Sequence, residues 1–233
     1  MNSYRKTAII VGVLFIIGTV AGSMSVLILA PILGAPDYLI RISTNETQVI
    51  IGVLLELVMA AAVVAIPYVI FPVFKKHNER VALGYVGART VEGVGYIAAA
   101  VILLSLTTLS QQFVKVGVQD ASNFQTLGAL LLAGREWATL VGVYIVFNLG
   151  ALLFYYLLYR TKLIPRCISV WGLIAALLWL TGVLLVLLNL TTTSSTPYTL
   201  SFVPMFAQEM VLALWLIVKG FNPSAIASAS AKT

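Results

Sequence analysis

The chain has 233 residues, 61% of them hydrophobic and 9% charged, with a mean hydropathy of +1.03 and a formal net charge of +6. A soluble domain carries roughly 25% charged residues, so the composition excludes an ordinary soluble protein and points to an all-α, polytopic membrane bundle. The single cysteine, Cys167, excludes an internal disulfide, and the single histidine, His77, narrows the available chemistry.

The basic start MNSYRK leads into a first span, 7–30, with Gly12, Gly18 and Gly22 interleaved. Its apolar run exceeds the ~7–15 residues of a signal-peptide core, which argues for a retained span. The connection 31–47 holds Asp37, Arg41 and Glu46 and is followed by a second span, 48–74, that carries Glu56 and is interrupted late by Pro67 and Pro72. Those prolines and Pro204 are candidate kinks. A short basic loop, KKHNER, leads to the third span, 81–109, which contains Arg89 and Glu92.

The polar connection 110–124 offers Asp120 or Ser122 as a cap for the next helix. From Gln125 to Tyr159 the chain stays apolar for ~35 residues, or ~52 Å, too long for one crossing of a ~30 Å core. Gly134-Arg135-Glu136-Trp137 divides it into a lead-in, 122–136, and a fourth span, 137–159. After the basic loop RTKLIPR, the fifth span, 169–190, has no charge. The sixth, 200–218, carries Glu209. Residues 1–220 thus form one transmembrane domain. The small, polar tail 221–233 is expected to be disordered.

Six spans put both ends on one side. Arg5, Lys6, Lys75, Lys76, Arg80, Arg160, Lys162, Arg166, Lys219 and Lys232 fall on the side of the termini. The other connections hold Arg41, Lys115 and, with the lead-in, Arg135. Basic residues mark the cytoplasmic side, so both termini are expected in the cytoplasm. The same pattern accounts for the positive charge without nucleic acid; the expected partner is the lipid bilayer, and the oligomeric state is left open.

Charge at membrane depth is costly and asks for a reason. Arg89 and Glu92, spaced i,i+3, share one helical face. Rise per residue places Arg89 ~12 Å and Glu92 ~17 Å into the third span, Glu209 ~14 Å into the sixth, and Glu56 ~10–12 Å below the outer surface. Three carboxylates against one guanidinium would leave −2 if all were ionised. A proton or a bound cation would relieve that charge. Asn148, Gln208, Tyr96 and Tyr144 are available for further hydrogen bonds, while Arg135 and Glu136 read as an ordinary interfacial pair. Two readings stay open: Arg89 pairs with Glu92, Glu56 or Glu209 only to fix helix assembly, or the group is a functional polar site.

The residue inventory points to no cofactor and no metal. Among the spans there is no histidine for haem, no His/Cys cluster for zinc, no aspartate pair and no mid-span lysine for retinal. A lone glutamate acting as a base keeps a lipid-active enzyme in play.

The segments YRKTAIIVGVLF, LLEL around Glu56, RTVEGVGYI around Arg89 and Glu92, FQTLGALLLA, KLIPRCISVWGLI and QEMVLALWLIVKGFNP resemble one family over essentially the whole chain. It is the prokaryotic six-span family known as domain of unknown function 4386. The resemblance implies a prokaryotic inner-membrane protein and no activity. The residues themselves favour proton- or cation-linked transport of a small solute, with Glu56, Glu92 and Glu209 as protonatable or cation-binding groups and Arg89 as ion-pair partner or anion contact. The alternatives are a non-catalytic sensor or accessory protein with structural charges, and the lipid-active enzyme.

Overall fold

The computed structural model describes residues 3–116 and 121–230. These are almost entirely helical: α1 (Ser3–Leu33), α2 (Tyr38–Thr44), α3 (Glu46–Val116), α4 (Ala121–Trp137), a π-helical segment (Ala138–Ile145), α5 (Val146–Thr161), α6 (Arg166–Leu187), α7 (Thr196–Val218) and α8 (Pro223–Ser230). Five helical stretches are long and apolar enough to cross a membrane: α1, α3, α4 continued through the π segment into α5, α6 and α7.

With 71 residues, α3 would be ~107 Å long if straight, against a ~30 Å hydrocarbon core. It is not straight. Asn78 has φ −159° and ψ 100°, outside helical geometry, and its side-chain Oδ1 accepts the Val81 N–H at 3.2 Å. The two arms fold back on each other. Phe74 meets Tyr85 at 6.3 Å between ring centroids, and the Tyr68 hydroxyl lies 3.4 Å from Thr90 Oγ1, so the residue numbers run in opposite directions from the bend. The loop expected over 75–80 therefore shrinks to a single non-helical residue.

Further antiparallel contacts complete the bundle. Ser25 on α1 donates to the Gly52 carbonyl of the first arm of α3, 2.9 Å away. The second arm packs so closely on the π segment that a Cβ on Gly95 would lie 2.5 Å from the Gly142 carbonyl oxygen, a spacing only glycine permits. Phe147 and Trp179 join α5 to α6 at 4.8 Å, and Gln208 Nε2 on α7 donates to the Ile168 carbonyl of α6 at 3.1 Å. Arg5 closes the circuit by donating from Nη1 to the Leu216 carbonyl (3.0 Å) and from Nη2 to those of Ile217 (2.5 Å) and Val218 (3.1 Å). These are the last carbonyls of α7, which have no partner within the helix, and a cation at that end also answers the helix dipole.

The outward surface is apolar. Val20, Leu27, Leu54, Val94, Ile174 and Leu214 are among many large hydrophobic residues left exposed. A soluble monomer does not present such a continuous apolar coat; a membrane-embedded one does.

Several sequence expectations change. The first connection contains α2, and Arg41 Nε pairs with Asp37 Oδ1 at 2.8 Å. The backbone stays helical through Pro67, Pro72 and Pro204. Ser122 is not a cap: it lies within α4, where its carbonyl accepts from Thr126 Oγ1. Asp120 and Lys232 lie outside the described residues. The tail is not featureless either, since α8 runs over Pro223–Ser230 with Ala225 buried.

Candidate functional site

The second arm of α3 carries Tyr85, Arg89 and Glu92 on one face, at i, i+4 and i+7. Arg89 Nη1 donates to Glu92 Oε2 at 2.9 Å, with the two side chains 2% and 0% exposed. The guanidinium carbon lies 4.5 Å from the Phe147 ring centroid and 5.6 Å from that of Tyr85, so aromatic faces cover the charge on two sides. The Tyr85 hydroxyl is itself buried without a hydrogen-bond partner.

The pair is not self-sufficient. Arg89 Nε, Glu92 Oε1 and Asn148 Oδ1 are buried without a hydrogen-bond partner. Leaving such a group unsatisfied costs about 1–3 kcal/mol. An ordered water is the usual partner for such an atom. Asn148 is held by its other end: Nδ2 donates to the Tyr144 carbonyl at 2.8 Å, within the π turn. Single π turns recur at functional sites because they re-aim the side chains that follow.

A second ion pair lies farther along the bundle. Arg135 Nη2 donates to Glu56 Oε1 at 2.5 Å, and Nη1 donates to the Ala99 carbonyl at 2.9 Å. Arg135 thus ties α4 to both arms of α3. The interfacial Arg135–Glu136 pair expected from adjacency does not form. Successive helical residues point ~100° apart; Glu136 is exposed and accepts from Thr193 Oγ1 at 3.1 Å. Glu56 Oε2 remains buried and unpartnered.

Tyr96 stands between the two pairs on the same arm, four residues after Glu92 and three before Ala99, whose carbonyl Arg135 reaches, and the Tyr144 carbonyl holds Asn148. Arg89, Glu92, Tyr96 and Ala99 fall at i, i+3, i+7 and i+10, so the two pairs lie along one face of the arm as a polar column within the bundle.

Glu209 lies beside this column, within range of Arg89 and Glu92. It shares the inward face of α7 with the buried Met205, Leu212 and Leu216, at i−4, i+3 and i+7, yet it is only partly buried. Among the described residues it forms no ion pair. Its neighbour Gln208 has a different task. The Tyr155 hydroxyl donates to Gln208 Oε1 at 2.5 Å and Nε2 reaches the Ile168 carbonyl, so Gln208 fastens α5, α6 and α7 together.

The charge balance shifts accordingly. Glu56, Glu92 and Glu209 face Arg89 and Arg135, so the fully ionised column carries −1 rather than −2. The sequence paired Arg135 with Glu136 rather than with Glu56, and it missed the aromatic cover of Phe147 and Tyr85; the Tyr85 spacing from Arg89 was the available signal. Among the described residues, no group of three or more His, Cys, Asp or Glu side chains is arranged to hold a metal. A cavity of about 420 Å³ opens between α6 and α7, lined by Leu178, Leu185, Leu190, Tyr198 and Ser201 among others, with no carboxylate in its wall.

No curated protein and no solved structure matches the chain. A family model described as Domain of unknown function (DUF4386) matches residues 10–220, running from within α1 to just past α7 and including every residue of the column. The chain therefore belongs to the DUF4386 family.

Proposed function

We propose that this is a six-span protein of a prokaryotic inner membrane, with both ends cytoplasmic, and that its buried column serves proton- or cation-linked movement of a small solute. The hairpin of α3 contributes two crossings, and the other four long helical stretches contribute one each. Their sequence-adjacent, antiparallel packing supports that count. The basic residues support the orientation: Lys76 donates to the Tyr4 hydroxyl at 2.9 Å and Arg5 caps α7, so cations of separate segments gather at one end.

The observation that carries the transport reading is Glu209. It is a carboxylate on an inward helix face, partly exposed and without an ion-pair partner among the described residues. The column lacks one positive charge, and one proton or one monovalent cation supplies it. Binding at Glu209 would loosen its attraction for Arg89, and the orphaned Arg89 Nε, Glu92 Oε1 and Asn148 Oδ1 offer one donor and two acceptors to a polar solute.

The test is purified protein in liposomes, with an imposed pH gradient, an internal pH dye and a panel of small solutes. Wild type moves charge with at least one solute; Glu209→Gln stays folded and loses that flux. No flux from wild type under any gradient favours the sensor or accessory reading. One observation already speaks for that second reading: both arginines are paired, so most of the buried charge is structurally accounted for.

A further inference from the structure

At the end of the bundle where the termini meet, the α5–α6 turn and the α7–α8 turn enclose a cavity of about 460 Å³. Three cations line it: Lys162, Arg166 and Lys219. No carboxylate does, and none of the three forms an ion pair among the described residues. Beside the cations stand apolar side chains, including Ile164, Trp215 and Phe221. We infer that this cavity binds the phosphate of an anionic lipid headgroup from the adjoining leaflet.

The backbone is shaped for such a site. Lys162 takes the left-handed conformation (φ 55°) that ends α5, and Gly220 does the same (φ 75°) beyond α7. The two turns are joined by the Asn222 N–H, which donates to the Leu163 carbonyl at 2.8 Å. Helix α6 starts at this cavity. Its backbone bonds begin with Ile168 and Ser169, which donate to the Pro165 carbonyl, and its cap Pro165 offers no side-chain acceptor. The N–H groups of Arg166 and Cys167 are thus left for another acceptor. The Arg166 guanidinium carbon lies 5.0 Å from the Tyr159 ring centroid, which holds its planar fork in place for a phosphate.

The choice of a lipid over free phosphate rests on the mixed wall. Three cations recognise any phosphate, but an indole and aliphatic groups in the same cavity match an amphiphile whose charged head sits above acyl chains. Tryptophan belongs at that level of a bilayer, and basic pockets between spans on this side suit anionic headgroups. The inference does not depend on whether the deep column moves a solute.

The experiment measures lipid binding to the purified full chain in detergent by native mass spectrometry, titrating phosphatidylglycerol and, separately, phosphatidylcholine. Wild type should bind phosphatidylglycerol more tightly, and the preference should weaken as salt screens the cations. Combining Lys162→Gln, Arg166→Gln and Lys219→Gln should weaken phosphatidylglycerol binding about a hundredfold and leave phosphatidylcholine unchanged. Lys219→Gln alone should cost about fivefold, which keeps the test usable if the triple variant does not fold. Lys75→Gln with Arg80→Gln, basic residues of the same end outside the cavity wall, should change little. Equal loss in that control, or full affinity in the triple variant, overturns the site. Inorganic phosphate that displaces the lipid at matching concentrations overturns the lipid assignment in favour of a soluble anion.

Discussion

Arg135→Gln removes the bond to Glu56 Oε1 and the bond to the Ala99 carbonyl. Glu56 then has no partner at either oxygen, because Oε2 already lacks one. Breaking a buried ion pair from one side costs ~3–5 kcal/mol. The two side chains keep 12% and 13% of their exposure, and this residual screening lowers the expected loss to about 2–3 kcal/mol. Thermal unfolding in detergent should show Arg135→Gln melting below wild type at pH 7. The double variant Glu56→Gln/Arg135→Gln should recover most of the loss, because it leaves no buried charge without a counterion. A single variant as stable as wild type, or a double variant no more stable than the single one, refutes the reasoning.

Gly142→Val pushes its new side chain against the Gly95 backbone, where even a Cβ would approach to 3.2 Å, and should cost about 1–3 kcal/mol as seen in the melting temperature. Gln208→Leu loses the bonds to the Tyr155 hydroxyl and the Ile168 carbonyl and should destabilise by about 1–3 kcal/mol; adding Tyr155→Phe should then cost little more, since the hydroxyl has already lost its acceptor. Lys162→Gly relieves a left-handed residue and should stabilise the fold by up to about 1 kcal/mol in a melting experiment while removing one cation from the basic cavity. Reporter fusions after Lys76, Arg166 and Lys219 should read as cytoplasmic and one at Ser194 as external; a cytoplasmic signal at Ser194 breaks the six-span arrangement.

Local features were legible in the sequence and distant ones were not. The i,i+3 spacing put Arg89 and Glu92 on one helical face, because a helix brings those positions together whatever surrounds it, but the choice of partner among Glu92, Glu56 and Glu209 needed the packed bundle. Arg135 and Glu56 are 79 residues apart, and only packing joins them. Adjacency in the chain instead suggested Glu136, which helix geometry turns away. The long spans followed from apolar run length alone, whereas the bend at Asn78 was read as a longer loop because KKHNER is polar. The α3 helix continues through Lys75, Lys76 and His77 because charged residues are good helix formers where water can reach them. Nothing in ATLVGVYI marks it as π-helical, since the close approach of Gly95 and Gly142 is a property of two helices together. The α8 segment was read as disordered from its small, polar residues, but Ala225 is buried there.

The central claim is that Glu209 exchanges a proton or cation within the membrane, and it can be tested without knowing the solute. Dicyclohexylcarbodiimide is apolar and adds to a protonated carboxyl to leave a stable N-acylurea that mass spectrometry locates. Treating the folded protein in liposomes across a pH series should label the peptide that contains Glu209, with labelling fading as pH rises and as a competing monovalent cation is added. Glu209→Gln should abolish that adduct, and the wild-type adduct should abolish any flux. A Glu209 that stays unlabelled at every pH in the folded protein, while it reacts once the protein is unfolded, would contradict the account and leave the buried charges as structural ties.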